Sequence, residues 1–237
     1  SIRPSPANPA WGGPSTVLNV GMNGARHAAL TQTHGDAAAD ALYLAFVQAF
    51  AVHVARLDPE MFAAPPGPGA LSAALAAYEA ETDEPFPEDP ARQLAEVLRS
   101  MARAWEGTTA RLLRAAKGAP AEAPLGLIVQ EMALGIGPGL SGSGTIQLVD
   151  PVTGQEQVTG RFHGQSLSPK DGGAEETLYL VKDARGPSLE ESAPDVFAGL
   201  VRQGRACRER LREEMQVEFT IESGQLRVID ATRVARS

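Results

Sequence analysis

Apolar residues recur at three-to-four spacing through the first half of the chain and in short alternating runs through the second, which predicts helices followed by strands. Between residues 36 and 56, Leu42, Phe46, Ala49, Phe50 and Val54 mark one face of an amphipathic helix that Asp58-Pro59 ends. Pro65-Pro-Gly-Pro-Gly69 is a break, and residues 70–80 read as an Ala-rich second helix. Glu84-Pro-Phe-Pro-Glu-Asp-Pro90 leads into a long helix with Asp89 as N-cap and Pro90 at its first position. Leu94, Val97, Leu98, Met101, Trp105 and Leu112 form its apolar stripe, and Gly118 stops it. After Pro124 the runs 126–132, 144–149, 157–162 and 178–181 read as strands of one sheet. Residues 189–214 predict a last long helix with Leu189, Val196, Leu200, Cys207 and Leu211 buried. Residues 1–15, with Pro4, Pro6, Pro9 and Pro14, predict an extended loop and exclude a helix or interior strand. The architecture expected is α+β and not doubly wound. A mainly helical portion (1–123) precedes an antiparallel-sheet lobe (124–237) with one long helix and a C-terminal hairpin.

That hairpin carries the candidate chemistry. Residues 217–221 and 226–230 are short β-rich runs, and Ser223-Gly224 between them supplies turn residues. A three-residue loop, Ser223 to Gln225, puts Glu218 opposite Asp230 on one face, where like charges repel by up to about 1 kcal/mol and a cation removes the cost. A two-residue loop slips the register by one, so that Glu218 faces Ile229 and the carboxylates point to opposite faces. With solvated charges, the same runs make an ordinary exposed hairpin. Upstream, the Gly-rich connector Gly135-Ile-Gly-Pro-Gly-Leu-Ser-Gly-Ser-Gly144 has backbone amides to offer a phosphate, although no Lys follows it as in a Walker loop.

Composition narrows the partners. The 237 residues are 43% hydrophobic, enough for a sizeable core, and carry a net charge of −8 without a Lys/Arg cluster, which argues against nucleic acid or an anionic membrane as partner. The single Cys207, with no Cys/His grouping at metal-ligand spacing, suits a reducing cytoplasm. No apolar run of about 18 residues and no signal-peptide pattern stands out, so no membrane span is expected.

Four segments together resemble the N-terminal nucleotide-binding domain of pyruvate, phosphate dikinase, an ATP-grasp fold. They are Ser1-Ile-Arg3 with Thr16-Val-Leu-Asn-Val-Gly-Met-Asn23; Pro85-Phe-Pro-Glu-Asp-Pro-Ala-Arg-Gln-Leu94 with Arg99-Ser and Trp105; Val129-Gln-Glu-Met132 with Ser141-Gly-Ser-Gly144 and Asp150-Pro-Val-Thr-Gly154; and Met215-Gln-Val-Glu-Phe-Thr-Ile-Glu222. The resemblance implies Mg-ATP as ligand and a separate phosphohistidine- or PEP-binding domain as partner. It implies Arg3 as a phosphate-binding, catalytic arginine. It puts Gln130, Glu131 and Met132 on strand backbone meeting adenine. In the hairpin, Gln216 stands where the family has Asp and Asp230 where it has Gln, while Glu218 keeps the family's carboxylate. Magnesium would then rest on Glu218 and Asp230.

Other charges that the family places near ligand or partner are missing. Pro4-Ser5-Pro6 replaces Ser-Gly-Ala after Arg3, Val149 replaces Arg, Leu44-Ala45 replaces an Arg pair, and Ser166-Leu167 replaces Gly-Glu. The family's Gly-Gly-Lys-Gly segment would precede Ser1, and one missing phosphate clamp costs on the order of 10²-fold in rate. The chain by itself is therefore expected to bind nucleotide without acting as a phosphotransferase; the alternative is a degenerate module for regulation or protein interaction. Arg26-His27-Ala28-Ala29 only faintly echoes a phosphocarrier Ser-His-Ala-Ala, and His34 beside Gly35 reads as a turn residue.

Overall fold

A computed structural model describes residues 1–150, 153–165, 177–183 and 185–233. The chain forms two compact units, Ser1–Met132 and Ala133–Ser237, and the fold is α+β.

The N-terminal unit is mostly helical. Strand β1 (Ile2–Pro6) is followed by a 3-10 turn (Pro9–Trp11), helices α1 (Gly24–His34), α2 (Asp36–Phe50), α3 (Ala70–Thr82), α4 (Pro90–Glu106) and α5 (Thr108–Ala116), and strand β2 (Leu125–Val129). Its core centres on Phe86, whose ring lies 5.1 to 6.0 Å from those of Tyr43, Phe46, Phe50 and Tyr78 in edge-on geometries. With its π-helical continuation (Ala51–Ala55), α2 is long and apolar enough to cross a membrane, contrary to the sequence expectation. Leu42, Phe46, Val47 and Phe50 are nevertheless buried in the core of this unit, as in a core helix of a globular domain. At the head of α4, the Asp89 carboxylate accepts from the amides of Ala91 and Arg92, with Pro90 at the first position as predicted. Asp89→Ala is expected to cost about 1 kcal/mol of stability, measurable as a lowered urea midpoint.

Four further details of this unit depart from the sequence reading. The proline-rich start is not all loop: β1 pairs antiparallel with β2, and a two-stranded ribbon has only edge strands, where proline is tolerated. β2 ends at Val129 and belongs to this ribbon rather than to the main sheet. The long helix breaks at Gly107, after which Leu112 is 66% exposed while Arg114 is buried, its guanidinium 3.6 Å from the Trp105 ring centre. Helix α1, capped by the Asn23 side chain, buries no residue and so leaves no apolar stripe to read; His34 is its last residue.

Among the described residues the C-terminal unit holds a five-stranded antiparallel sheet in the order β5-β4-β3-β6-β7. The strands are β3 (Gly142–Val149), β4 (Glu156–Gly164), β5 (Thr177–Tyr179), β6 (Met215–Glu222) and β7 (Gln225–Arg233). The predicted last helix is split by Ala193-Pro194 into α6 (Leu189–Ser192) and α7 (Pro194–Leu211). Leu189 and Leu200 are buried, but Leu211, expected inside, is half exposed. Leu189 and Leu200 join Ile146, Leu148, Phe162, Val217, Phe219 and Ile221 in one apolar core, and Gly204 lets α7 approach Leu148 closely. Strand alternation then puts Thr145, Arg161, Glu218 and their neighbours on the opposite, polar face.

Candidate functional site

The hairpin turn is the two-residue kind: Ser223 and Gly224 both have positive φ (50° and 81°), and Glu222 faces Gln225. The turn is tied to the loop before β3, since the Ser223 amide donates to Ser141 Oγ at 2.9 Å and the Gly224 amide to the Leu140 carbonyl at 2.8 Å. Such a turn alone would set Glu218 against Ile229. A β-bulge instead shifts the register at Ile229, between Val228 opposite Phe219 and Asp230 opposite Glu218. The sequence alternatives are thus resolved in a combination neither described: a two-residue loop, with both carboxylates on one face.

Reading the register across the sheet gives a continuous row, Tyr179 on β5, Arg161 on β4, Thr145 on β3, Glu218 on β6 and Asp230 on β7. Glu218 is 8% exposed and Asp230 half-buried. The next row holds Thr177, His163, Ser143, Thr220 and Arg227. There His163 Nδ1 lies 3.1 Å from Thr177 Oγ1, and Ser143 Oγ is buried without a hydrogen-bond partner among the described residues. On the other side Gln216 accepts from Gln147 Nε2 at 2.7 Å, an amide pair rather than an acidic site. Among the described residues no group of three or more His, Cys, Asp or Glu side chains is arranged to hold a metal ion, so a cation on this face would rest on Glu218 and Asp230 with oxygens from its ligand or water. The Gly-rich connector is engaged internally at Gly137, whose amide donates to Gln165 Oε1 and whose carbonyl accepts from Gln165 Nε2. Its last three residues, Gly142 to Gly144, are the start of β3. Ser166 and Leu167 lie outside the described residues.

In the N-terminal unit, Arg3 sits in β1 opposite Ile128. Gln130, Glu131 and Met132 lie beyond the end of β2 and not on the strand expected of them; the Gln130 amide donates to the Ser1 carbonyl at 3.0 Å. Two of the segments that carry the resemblance, 16–23 and 85–94, are bound to each other. The fully buried Gln93 accepts from the Gly21 amide (2.8 Å) and donates to the carbonyls of Met22 (2.8 Å) and Pro87 (2.6 Å). Glu88 accepts from the Gly24 amide at the start of α1 (2.8 Å) and from the Tyr43 hydroxyl (3.1 Å). Burial and that carboxylate hold the Tyr43 phenol well above its ordinary pKa. His27 Nε2 is 2.7 Å from Asp40, so one of its two ring nitrogens already has a partner. Sequence reading missed Gln93 and Glu88 as anchors because both look like surface residues of a proline-rich turn and a helix start.

The fold and the row of polar residues define an α+β domain with a carboxylate pair on the polar face of an antiparallel sheet. No family model matches the chain. Among curated proteins it is 28% identical over 241 residues to the pyruvate, phosphate dikinase of Rhizobium meliloti (strain 1021), covering 89% of this chain and 26% of the relative. It is 25% identical over 249 residues to pyruvate, phosphate dikinase 2 of Zea mays, covering 95% of the chain and 27% of the relative. Against the Clostridium symbiosum pyruvate, phosphate dikinase it is 27% identical over 149 residues, 62% of the chain and 16% of the relative. The chain is a divergent domain related to pyruvate, phosphate dikinase, and it spans about a quarter or less of the length of these relatives.

Proposed function

We propose that this chain is an ATP-grasp-type module that binds Mg-ATP or Mg-ADP and has no phosphotransferase activity of its own. The observation that carries the reading is the bulge-enforced pairing of Glu218 with Asp230. Two carboxylates side by side on a sheet face suit a hard, oxygen-seeking cation, and magnesium is commonly held by one or two carboxylates plus ligand phosphates. A bound magnesium would neutralise phosphate charge; Glu218 and Asp230 would fix its position. Arg3, Gln130, Glu131 and Met132 are candidate nucleotide contacts by resemblance, and a separate phosphohistidine- or PEP-binding domain, in a cytoplasmic setting, belongs to the same reading.

Calorimetric titration of the chain with ATP, with and without magnesium, is expected to show binding that needs the metal. Glu218→Gln combined with Asp230→Asn should weaken it at least about tenfold while circular dichroism is unchanged. No heat at millimolar ATP with magnesium would sink the proposal. A second reading, a domain that keeps the fold for regulation or protein interaction, is favoured by the mutual anchoring of segments 16–23 and 85–94: packing alone is reason enough for Gln93 and Glu88 to be there.

A further inference from the structure

The cross-strand row that holds the carboxylate pair on β6 and β7 carries an arginine toward its other side, on β4. Asp230 and Glu218 occupy β7 and β6, Thr145 follows on β3, and Arg161 stands on β4 in the same cross-strand row. Arg161 is exposed, and its guanidinium lies 5.1 Å from the centre of the Tyr179 ring on β5. A cation–π contact of this kind restrains the guanidinium and leaves N–H groups available for hydrogen bonds. A second arginine, Arg185, lies 4.7 Å from the same ring, but Arg185 is ion-paired with Asp183. Among the described residues no carboxylate pairs with Arg161.

Beside this row lies Ser143, 1% exposed, whose hydroxyl has no hydrogen-bond partner among the described residues. Ser143 is two residues from Thr145 on β3 and faces His163 on β4 and Thr220 on β6, so it stands on the same face, between the arginine and the carboxylates. A buried hydroxyl left unmatched is costly, and an oxygen-rich ligand along the row would give it a partner. Val149, where the resemblance expects an arginine, is buried at the far end of β3 and brings no charge to this face.

Resting on the nucleotide reading above, we infer that Arg161, with Ser143 beside it, is the anion-binding end of the site, so that the ligand is an oligophosphate lying across the strands from a cation at Asp230 and Glu218 toward Arg161. The Arg161 and Glu218 backbones are two strand spacings apart, about 10 Å. The reach of the arginine side chain closes much of that distance and leaves room for one or two phosphoryl groups. Arg161 thereby supplies from β4 the positive charge that Val149 does not supply from β3.

Calorimetric titration with Mg-ATP and with inorganic tripolyphosphate plus magnesium tests this, using the full chain, Arg161→Gln, Arg161→Lys and Arg205→Gln. Arg205 is paired with Glu156 and serves as a charge control. Arg161→Gln is expected to weaken both ligands by about tenfold, Arg161→Lys by less, and Arg205→Gln by neither. Unchanged affinity in Arg161→Gln, with the unsubstituted chain binding both ligands, overturns the role of Arg161 and leaves the nucleotide reading standing. A loss for ATP without a loss for tripolyphosphate places Arg161 at the nucleoside and overturns the inference. Equal losses in Arg161→Gln and Arg205→Gln reduce the effect to net charge and overturn it as well. Absence of binding by the unsubstituted chain removes both the reading and the inference.

Discussion

Replacing Gln93 with methionine is expected to lower the stability of the N-terminal unit by about 3 kcal/mol, more than most single substitutions. The side chain is fully buried and every polar atom of its amide is used: Oε1 accepts from Gly21, and Nε2 donates to Met22 and Pro87. Methionine keeps the length and fills the same space, so little of the cost comes from a cavity. What remains is an amide and two carbonyls without their Gln93 partner, and each buried group left so costs about 1 kcal/mol or more. Gln93→Glu should be worse, because the second carboxylate oxygen would face two carbonyl oxygens. Both tryptophans of the chain, Trp11 and Trp105, lie in this unit, so the urea midpoint from tryptophan fluorescence reads its unfolding. A shift below about 1 kcal/mol would mean that the chain around Gly21 and Pro87 relaxes to find other partners.

Gln93 also marks the limit of what the sequence disclosed. The residues whose fate depends on local chemistry were legible: Asp89-Pro90 caps α4, Ser223-Gly224 makes the tight turn, and the β-rich runs at 217–221 and 226–230 are the two arms of the hairpin. Residues whose fate depends on distant partners were not. The prolines of β1 are accommodated because β2, more than a hundred residues later, supplies an edge to pair with. The register of the hairpin was undecidable because turn length and bulge act on it in opposite senses, and nothing in the apolar alternation announces that Ile229 is the extra residue. The row from Asp230 to Arg161 exists only once β3, β4, β6 and β7 are paired, so no local pattern singles out Arg161. The four resembling segments join in pairs. Ser1 to Arg3 meets Val129 through the β1–β2 ribbon, 16–23 meets 85–94 through Gln93 and Glu88, and Gly142 to Gly144 meets Phe219 to Ile221 between β3 and β6. Each pairing has a packing role that holds whether or not a nucleotide is bound.

Gly144→Ala should destabilise the C-terminal unit by about 3 kcal/mol, the upper part of the range for overpacking. Gly144 lies on the core side of β3, between Phe162 on β4 and Phe219 on β6. The two rings are nearly parallel, 9° apart with centroids 6.3 Å apart, and come together over the space its missing side chain leaves. A Cβ there would press on the Arg161 carbonyl and come within 2.7 Å of Phe219 Cζ. The ring can turn only into a core that Ile146, Leu200 and Ile221 already fill. Tyr179 is the one tyrosine of this unit, and the unit holds no tryptophan, so near-ultraviolet circular dichroism of a Trp11→Phe, Trp105→Phe background follows it together with Tyr43 and Tyr78. The test is a double-mutant cycle. If the ring clash dominates, Gly144→Ala with Phe219→Leu is less destabilised than the sum of the two single variants by at least about 1 kcal/mol. An additive result would assign the strain to the Arg161 carbonyl instead, which trimming a phenyl ring does not relieve. In that case β4 must move away from β3, and the row that aligns Arg161 with Thr145 and Glu218 opens at the same step.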